Sequence, residues 1–248
     1  MHDERTVAID AVSESPVRHP TCDAIVLIDV ICDTTTLITG VAQHRKVYPA
    51  ASAPAALFMA QKLEEPLLAA GESEAWRPGF EISDSPAQLA ARDDHSPLVF
   101  YCGTGATVAA NHFFWPDVYF VCLRNISATA RHISLRHRNV LILDANHDGD
   151  ARCEDRIAAG RLAAALVDLG FEPSGLTTRE TIQRWGRVDV GLAAWGRSAE
   201  DLRHRRRGAD LEFVLSHVDD LDLVCDYQDG QIGAVHTEEP DRQLSGIA

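Results

Sequence analysis

Residues 24–39 read AIVLIDVICDTTTLIT, and this stretch decides the fold because a buried strand in it leads directly into a helix. Residues 24–28 form a continuous apolar run, which is typical of a parallel strand covered on both faces. Asp29 ends the run with a charge that such a strand cannot bury unpaired, so we expect its carboxylate at the carboxyl edge of a sheet. Apolar side chains then recur at helical spacing, which predicts a helix with its N-cap among residues 33–35.

The polar part of this stretch has two interpretations. In the simpler one, Asp29 and the threonines at 34–36 only cap a strand-to-helix turn. In the functional one, the helix N-terminus points at the sheet edge and favours an anion there. The pattern is not the D-x-D-x-T signature of aspartyl-phosphate phosphatases, because Asp29 and Asp33 are four positions apart.

Composition excludes several classes of protein. The 248 residues carry a formal net charge of −14, which argues against a nucleic-acid partner. The one basic cluster, residues 203–207 (RHRRR), is interpreted as the solvated face of a helix. The six cysteines form no C-x-x-C pair, so neither a disulfide framework nor a zinc site is indicated. No run of eighteen apolar residues exists, so no membrane span is expected.

Strands alternate with helices along most of the chain, and polar residues or glycine follow most strands. This pattern predicts an α/β protein of three layers, α/β/α, with a mostly parallel, mixed sheet. We expect one domain at 21–237, with two closely packed halves meeting near residue 170 as the alternative. Residues 1–20 and 238–248 are predicted to be flexible tails. The first twenty residues lack an apolar signal core, which favours a cytoplasmic location.

Two further segments bear candidate site residues. Gly103, Thr104 and Gly105 follow a predicted strand, and such a turn can direct backbone N–H groups at a phosphate, although it has no P-loop lysine. Glu154 and Asp155 lie at the start of a predicted helix, where they either complement the helix dipole or bind a metal.

The order of these segments resembles the 2-phosphosulfolactate phosphatase family over about residues 24–226. That family's D-V-L-R-A-T-T-T motif is matched by DVICDTTT at 29–36, and its Gly-Glu pair by residues 71–72. Its T-T-N-G-T turn resembles CGTGA at 102–106, and its E-D…A-G helix start is matched at 154–160.

The resemblance implies a three-layer fold and Mg²⁺-dependent hydrolysis of a phosphate ester on the biosynthetic path to coenzyme M. The implied partner is a small-molecule substrate, and a homo-oligomer stays open. The expected catalytic residues are Asp29, Glu72, Asp33 and Cys32. The expected metal ligands are Asp29, Glu72, Glu154 and Asp155. The expected substrate-binding residues are Thr34, Thr35, Thr36, Gly103, Thr104, Gly105 and Asn125.

The departures from the family pattern fall among these residues. Cys32 stands where the family carries Arg, and Asp33 stands where it carries Ala, so the local charge moves about two units toward negative. We therefore expect a hydrolase of a small phosphorylated metabolite with an altered substrate. Two alternatives are open: an accessory protein without phosphatase chemistry, or a repurposed enzyme in which a Cys32 thiol of lowered pKa takes part.

Overall fold

The computed structural model describes residues 5–11, 19, 21–71, 75, 77–102, 117–144, 146–147 and 150–235. The strands are β1 (Thr6–Ala11), β2 (Ala24–Ile28), β3 (Val47–Ala50), β4 (Leu67–Ala70), β5 (Ile82–Ser83), β6 (Leu98–Tyr101), β7 (Asp117–Val121), β8 (Asn139–Asp144), β9 (Asn146–His147), β10 (Asp150–Ala151), β11 (Glu172–Pro173), β12 (Cys225–Gln228) and β13 (Gln231–Ala234). The helices are α1 (Asp33–Ala42), α2 (Ala53–Ala60), α3 (Pro86–Ala90), α4 (Ile126–Arg136), α5 (Cys153–Asp168), α6 (Leu176–Trp185), α7 (Arg197–His204) and α8 (Gly208–Ser216), with a 3₁₀ segment at Val190–Trp195.

The main sheet is mixed and mostly parallel, as predicted. In the part of the chain that the structure describes, its strand order is β11-β1-β8-β2-β7-β12-β13-β3-β6-β4-β5. Strands β11, β1, β8, β2 and β7 are parallel to one another, and so are β3, β6, β4 and β5. The antiparallel hairpin β12–β13 joins the two sets. Strands from both sides of residue 170 therefore share one sheet.

Side chains of β2 alternate between two apolar layers, which explains its continuous apolar sequence. Ala24, Val26 and Ile28 pack into the layer that contains α4 and α5. Ile25 and Leu27 pack into the opposite layer, which contains α1. Helices thus cover both faces of this strand, in agreement with the predicted three layers.

Two sequence expectations need correction. Residues 1–20 are not a tail throughout, because Thr6–Ala11 is strand β1, paired with β8 and β11. The basic run at 203–207, predicted to lie on one helix, spans the junction of two helices, α7 and α8, which are separated at residues 205–207. No helix among the described residues is long and apolar enough to cross a membrane. The predicted tail at 238–248 lies outside the described residues.

Candidate active site

The carboxyl ends of three neighbouring strands meet where the candidate site lies. Ile28 at the end of β2 is in register with Asp144 of β8 on one side and with Val121 of β7 on the other. Because these strands are parallel, Asp29, Asp144 and the turn that leads to Asn125 lie at one edge of the sheet.

The threonines after β2 hold the loop and the first turn of α1 in place. Thr34 Oγ1 donates to the carbonyl oxygen of Asp29 at 2.7 Å, and Thr35 Oγ1 donates to that of Val30 at 2.7 Å. Thr36 Oγ1 donates to the carbonyl oxygen of Asp84 at 3.0 Å, which joins the turn after β5 to the start of α1. All three hydroxyl hydrogens are therefore used within the protein, and only the oxygen lone pairs could face a substrate.

Two acidic residues of α5 lie against this loop. Glu154 and Asp155 are each only 1% exposed, and both lie in the first turn of α5. Asp155 Oδ1 accepts a hydrogen bond from Val30 N at 2.7 Å, so this carboxylate lies beside the residue that follows Asp29. Glu154 Oε2 is buried and has no hydrogen-bond partner among the described residues.

The acidic side chains at this edge repel one another. Burial, and next the charge of Asp29, raise the pKa of Asp155 well above its usual value. The pKa of Glu154 is also raised, by burial and by Asp29, although a hydrogen bond from Ser198 opposes the shift. Burial and the charges of Asp29 and Asp84 raise the pKa of Asp33 well above its usual value. A bound cation would relieve this repulsion.

The donor set fits Mg²⁺ chemically, because carboxylate oxygens are its preferred protein ligands. The unpartnered oxygen of Glu154 is an available donor within that set. The described residues contain no preformed group of three or more His, Cys, Asp or Glu side chains able to hold an ion. Glu72, the remaining predicted ligand, lies outside them.

Cys32 does not have the environment of a reactive thiol. It is the N-cap residue of α1 and is 2% exposed. Burial, and next the charge of Asp84, raise the pKa of its thiol well above the usual value. A thiolate at Cys32 is therefore disfavoured, contrary to the lowered pKa considered for a repurposed enzyme.

An arginine from the far end of the chain lies beside Cys32. Arg207 Nη2 is 3.8 Å from Cys32 Sγ, while Nη1 donates to Asp84 Oδ1 at 2.5 Å and Nε donates to Asp210 Oδ2 at 2.7 Å. Asp210 also accepts from Ser85 Oγ at 2.5 Å. This network joins the turn after β5 to α8. The only sequence signal for it is the basic run at 203–207, which was interpreted as solvated.

Two polar residues at the strand ends have structural partners. Asp144 is 1% exposed and its Oδ2 forms an ion pair with Arg156 Nε at 3.0 Å, although neither carboxylate oxygen has a hydrogen-bond partner among the described residues. Asn125 is fully buried, its Oδ1 accepts from Cys122 N at 3.1 Å, and its Nδ2 donates to the carbonyl oxygen of Phe120 at 3.2 Å. The amide of Asn125 thus shapes the turn after β7.

Gly103, Thr104 and Gly105 lie outside the described residues. Cys102, which precedes them, is 1% exposed.

Comparison with known proteins gives one consistent family. A protein of Deinococcus radiodurans named "Probable 2-phosphosulfolactate phosphatase" is 29% identical over 195 residues, covering 76% of this chain and 78% of its own length. A protein of Caldanaerobacter subterraneus subsp. tengcongensis with the same name is 24% identical over 213 residues, covering 83% and 88% of the two chains. The family model described as 2-phosphosulpholactate phosphatase matches residues 10–230. Since that match spans most of the sequence, the chain belongs to the 2-phosphosulpholactate phosphatase family.

Proposed function

We propose that this protein is a Mg²⁺-dependent hydrolase of a small phosphorylated metabolite. The observation that carries the proposal is the set of carboxylates at the end of β2. Glu154 and Asp155 are buried against the loop that contains Asp29, the Asp29 charge raises the pKa of both, and Glu154 Oε2 has no hydrogen-bond partner among the described residues. Carboxylate oxygens are suited to bind a divalent cation, and a cation would relieve the repulsion among these acids.

In this proposal Asp29, Glu154 and Asp155 hold the ion, and Glu72 stays a predicted ligand. When bound, Mg²⁺ would neutralise the phosphoryl oxygens and orient the attacking water. The hydrogen bond from Val30 N fixes one oxygen of Asp155 and so orients its carboxylate. Asp33, whose pKa is raised chiefly by burial, is suited to hold a proton for the leaving oxygen of the ester.

The proposed substrate differs from 2-phosphosulfolactate, the compound after which the family is named. Cys32 and Asp33 replace the family's Arg and Ala beside the proposed phosphate position. An arginine fork suits a phosphate or sulfonate, whereas the neutral thiol of Cys32 cannot form that contact. We therefore propose that 2-phosphosulfolactate itself is hydrolysed slowly.

A second candidate is a repurposed enzyme or accessory protein without phosphatase chemistry. The same two positions, Cys32 and Asp33, favour this candidate. The buried carboxyl groups of Glu154 and Asp155 disfavour it, because burying two acids next to the charge of Asp29 has a free-energy cost that a purely structural role does not explain.

The experiment is phosphate release from a panel of small phosphomonoesters, with Mg²⁺ or with EDTA. We expect hydrolysis only with Mg²⁺, and a loss of ~100-fold or more in the Asp29→Asn variant. Asp222→Asn is the matched control, because Asp222 is 86% exposed and forms an ion pair with the exposed Arg131. Hydrolysis that continues in EDTA, or an Asp29→Asn variant as active as the control, would contradict the proposal.

A further inference from the structure

The start of α7 packs directly against Glu154. Gly196 is the N-cap residue of α7, and a Cβ atom added to it would lie 3.2 Å from Glu154 Oε2 and 3.1 Å from Cys153 Cβ. Both distances are shorter than an ordinary van der Waals contact. The backbone at the start of α7 therefore approaches the first turn of α5 this closely because residue 196 has no side chain.

The backbone conformation of Gly196 does not itself require a glycine. Its φ of −77° and ψ of 165° are accessible to any residue, so the need for glycine comes from the lack of space. The 3₁₀ segment that precedes it is anchored in the core, since Ala193 is fully buried and its carbonyl oxygen accepts from Gly196 N at 3.1 Å. This anchor limits how far the backbone at residue 196 could move away from Glu154.

Ser198 contacts the same carboxylate from the first turn of α7. Its hydroxyl donates a hydrogen bond to Glu154, and the residue is only 9% exposed. Because Glu154 Oε2 has no hydrogen-bond partner among the described residues, this hydrogen bond is accepted by Oε1. One oxygen of the carboxylate is thus fixed, while the lone pairs of the other oxygen stay available.

The start of α7 also favours the charged form of Glu154. Burial disfavours that form and raises the pKa of Glu154, but the hydrogen bond from Ser198 acts in the opposite direction. The partial positive charge at the N-terminus of α7, which lies next to Glu154, likewise stabilises a carboxylate. The charged carboxylate is the form that binds a divalent cation.

We propose that Gly196 and Ser198 are positioning residues that hold the carboxylate of Glu154 for the divalent cation. Ser198 fixes one oxygen, and Gly196 permits the close approach of α7 that keeps the carboxylate in place. This inference rests on the proposed function, since it takes Glu154 as a ligand of the ion. It extends the site to the start of α7, which lies outside the segments matched to the family's motifs.

The test is a calorimetric titration of Mg²⁺ into the metal-free parent and two variants. Gly196→Ala adds a methyl group that crowds Glu154, and Ser198→Ala removes the hydrogen bond. Each substitution should raise the Kd for Mg²⁺ by ~10-fold or more. Gly233→Ala and Ser216→Ala are the matched controls and should leave the Kd unchanged, because a Cβ added at Gly233 meets no atom within 4 Å and Ser216 is exposed.

The Mg²⁺ dependence of hydrolysis gives a result that unfolding cannot imitate. A variant in which Glu154 is displaced needs more Mg²⁺, but at saturating Mg²⁺ its kcat should lie within ~3-fold of that of the parent. A loss of folded protein would instead lower the rate at every Mg²⁺ concentration. Gly196→Ala and Ser198→Ala variants that bind Mg²⁺ as tightly as the parent, or controls that lose as much affinity, would overturn the inference.

A parent that binds no Mg²⁺ would contradict the proposed function, and thermal unfolding without metal then tests the contact itself. Gly196→Ala should lower the melting temperature of the parent by about 2–4 °C. The loss should be smaller in a Glu154→Ala background, because the crowded carboxylate is absent there. A smaller loss supports the positioning of Glu154 by α7, and equal losses in the two backgrounds refute it.

Discussion

Removing the charge of Asp155 should raise the stability of the metal-free protein and lower the proposed activity. In the metal-free protein its carboxylate is buried, is repelled by Asp29 and Glu154, and accepts a hydrogen bond from Val30 N. Asp155→Asn keeps that acceptor and removes the charge. We expect the metal-free variant to have a free energy of unfolding about 1–2 kcal/mol higher than the parent at neutral pH, measured by urea denaturation. Hydrolysis should fall sharply, because a proposed metal ligand is lost.

The contribution of Asp155 to the free energy of unfolding should fall as the pH rises. Because the pKa of Asp155 is raised in the folded protein, the folded state binds more protons than the unfolded state between about pH 4 and the raised pKa. This residue's contribution to stability is therefore lost as the pH rises through that range. The Asp155→Asn variant should show a flatter dependence than the parent, while Asp222→Asn should follow the parent. An Asp155→Asn variant less stable than the parent at neutral pH would contradict the repulsion.

The sequence can predict residues that lie next to a strand end, but not their distant partners. The sequence places Asp29 at the carboxyl edge because it ends a buried run, and the register of the preceding Ile28 with Asp144 confirms this position. The contact between Cys32 and Arg207 joins residues 175 positions apart. No local pattern encodes such a contact, and the basic run around Arg207 has the composition of a solvated helix face.

At the scale of single elements, β1 is the clearest departure from expectation. Ile9 is 3% exposed, and its backbone N–H donates to Thr178 Oγ1 at 3.0 Å. If Thr6–Ala11 is an ordered strand of the sheet, Ile9→Ala should lower the free energy of unfolding by about 2–5 kcal/mol, measured by urea denaturation. Leu135→Ala is the control, since Leu135 is 81% exposed and should change stability by less than about 0.5 kcal/mol. Equal effects of the two substitutions would indicate that these residues belong to a flexible tail, as predicted from the sequence.

The elements that were predicted well have strong local signals. The uninterrupted apolar run of β2, and the apolar side chains at helical spacing that predict α1, are examples. Strand β1 is short and is followed by polar, proline-containing sequence, so its sequence alone is a weak strand signal. Its place in the sheet depends on pairing with β8 and β11, which are distant in the sequence. The break between α7 and α8 was missed because Arg206, not glycine, adopts the left-handed conformation. Gly208, at the start of α8, was the available signal.

At the scale of the whole molecule, the fold class followed from the alternation of strands and helices, whereas the strand order did not. The hairpin β12–β13 lies between β7 and β3, although it comes last in the sequence. The placement of this hairpin between two earlier strands depends on long-range packing, which cannot be predicted from any short stretch of sequence. The residues that surround the candidate site consequently come from the start, middle and end of the chain, among them Asp29, Asp155 and Arg207.

The measurement that tests the central claim most directly is a calorimetric titration of Mg²⁺ into the metal-free protein, paired with thermal unfolding. We predict saturable binding of one ion by the parent, with a melting temperature that rises with Mg²⁺ concentration by mass action. Asp29→Asn should lose both responses, and Asp222→Asn should keep them. A parent that binds no Mg²⁺ at millimolar concentration, or an Asp29→Asn variant that binds it as well as the parent, would contradict the proposed metal-dependent phosphatase.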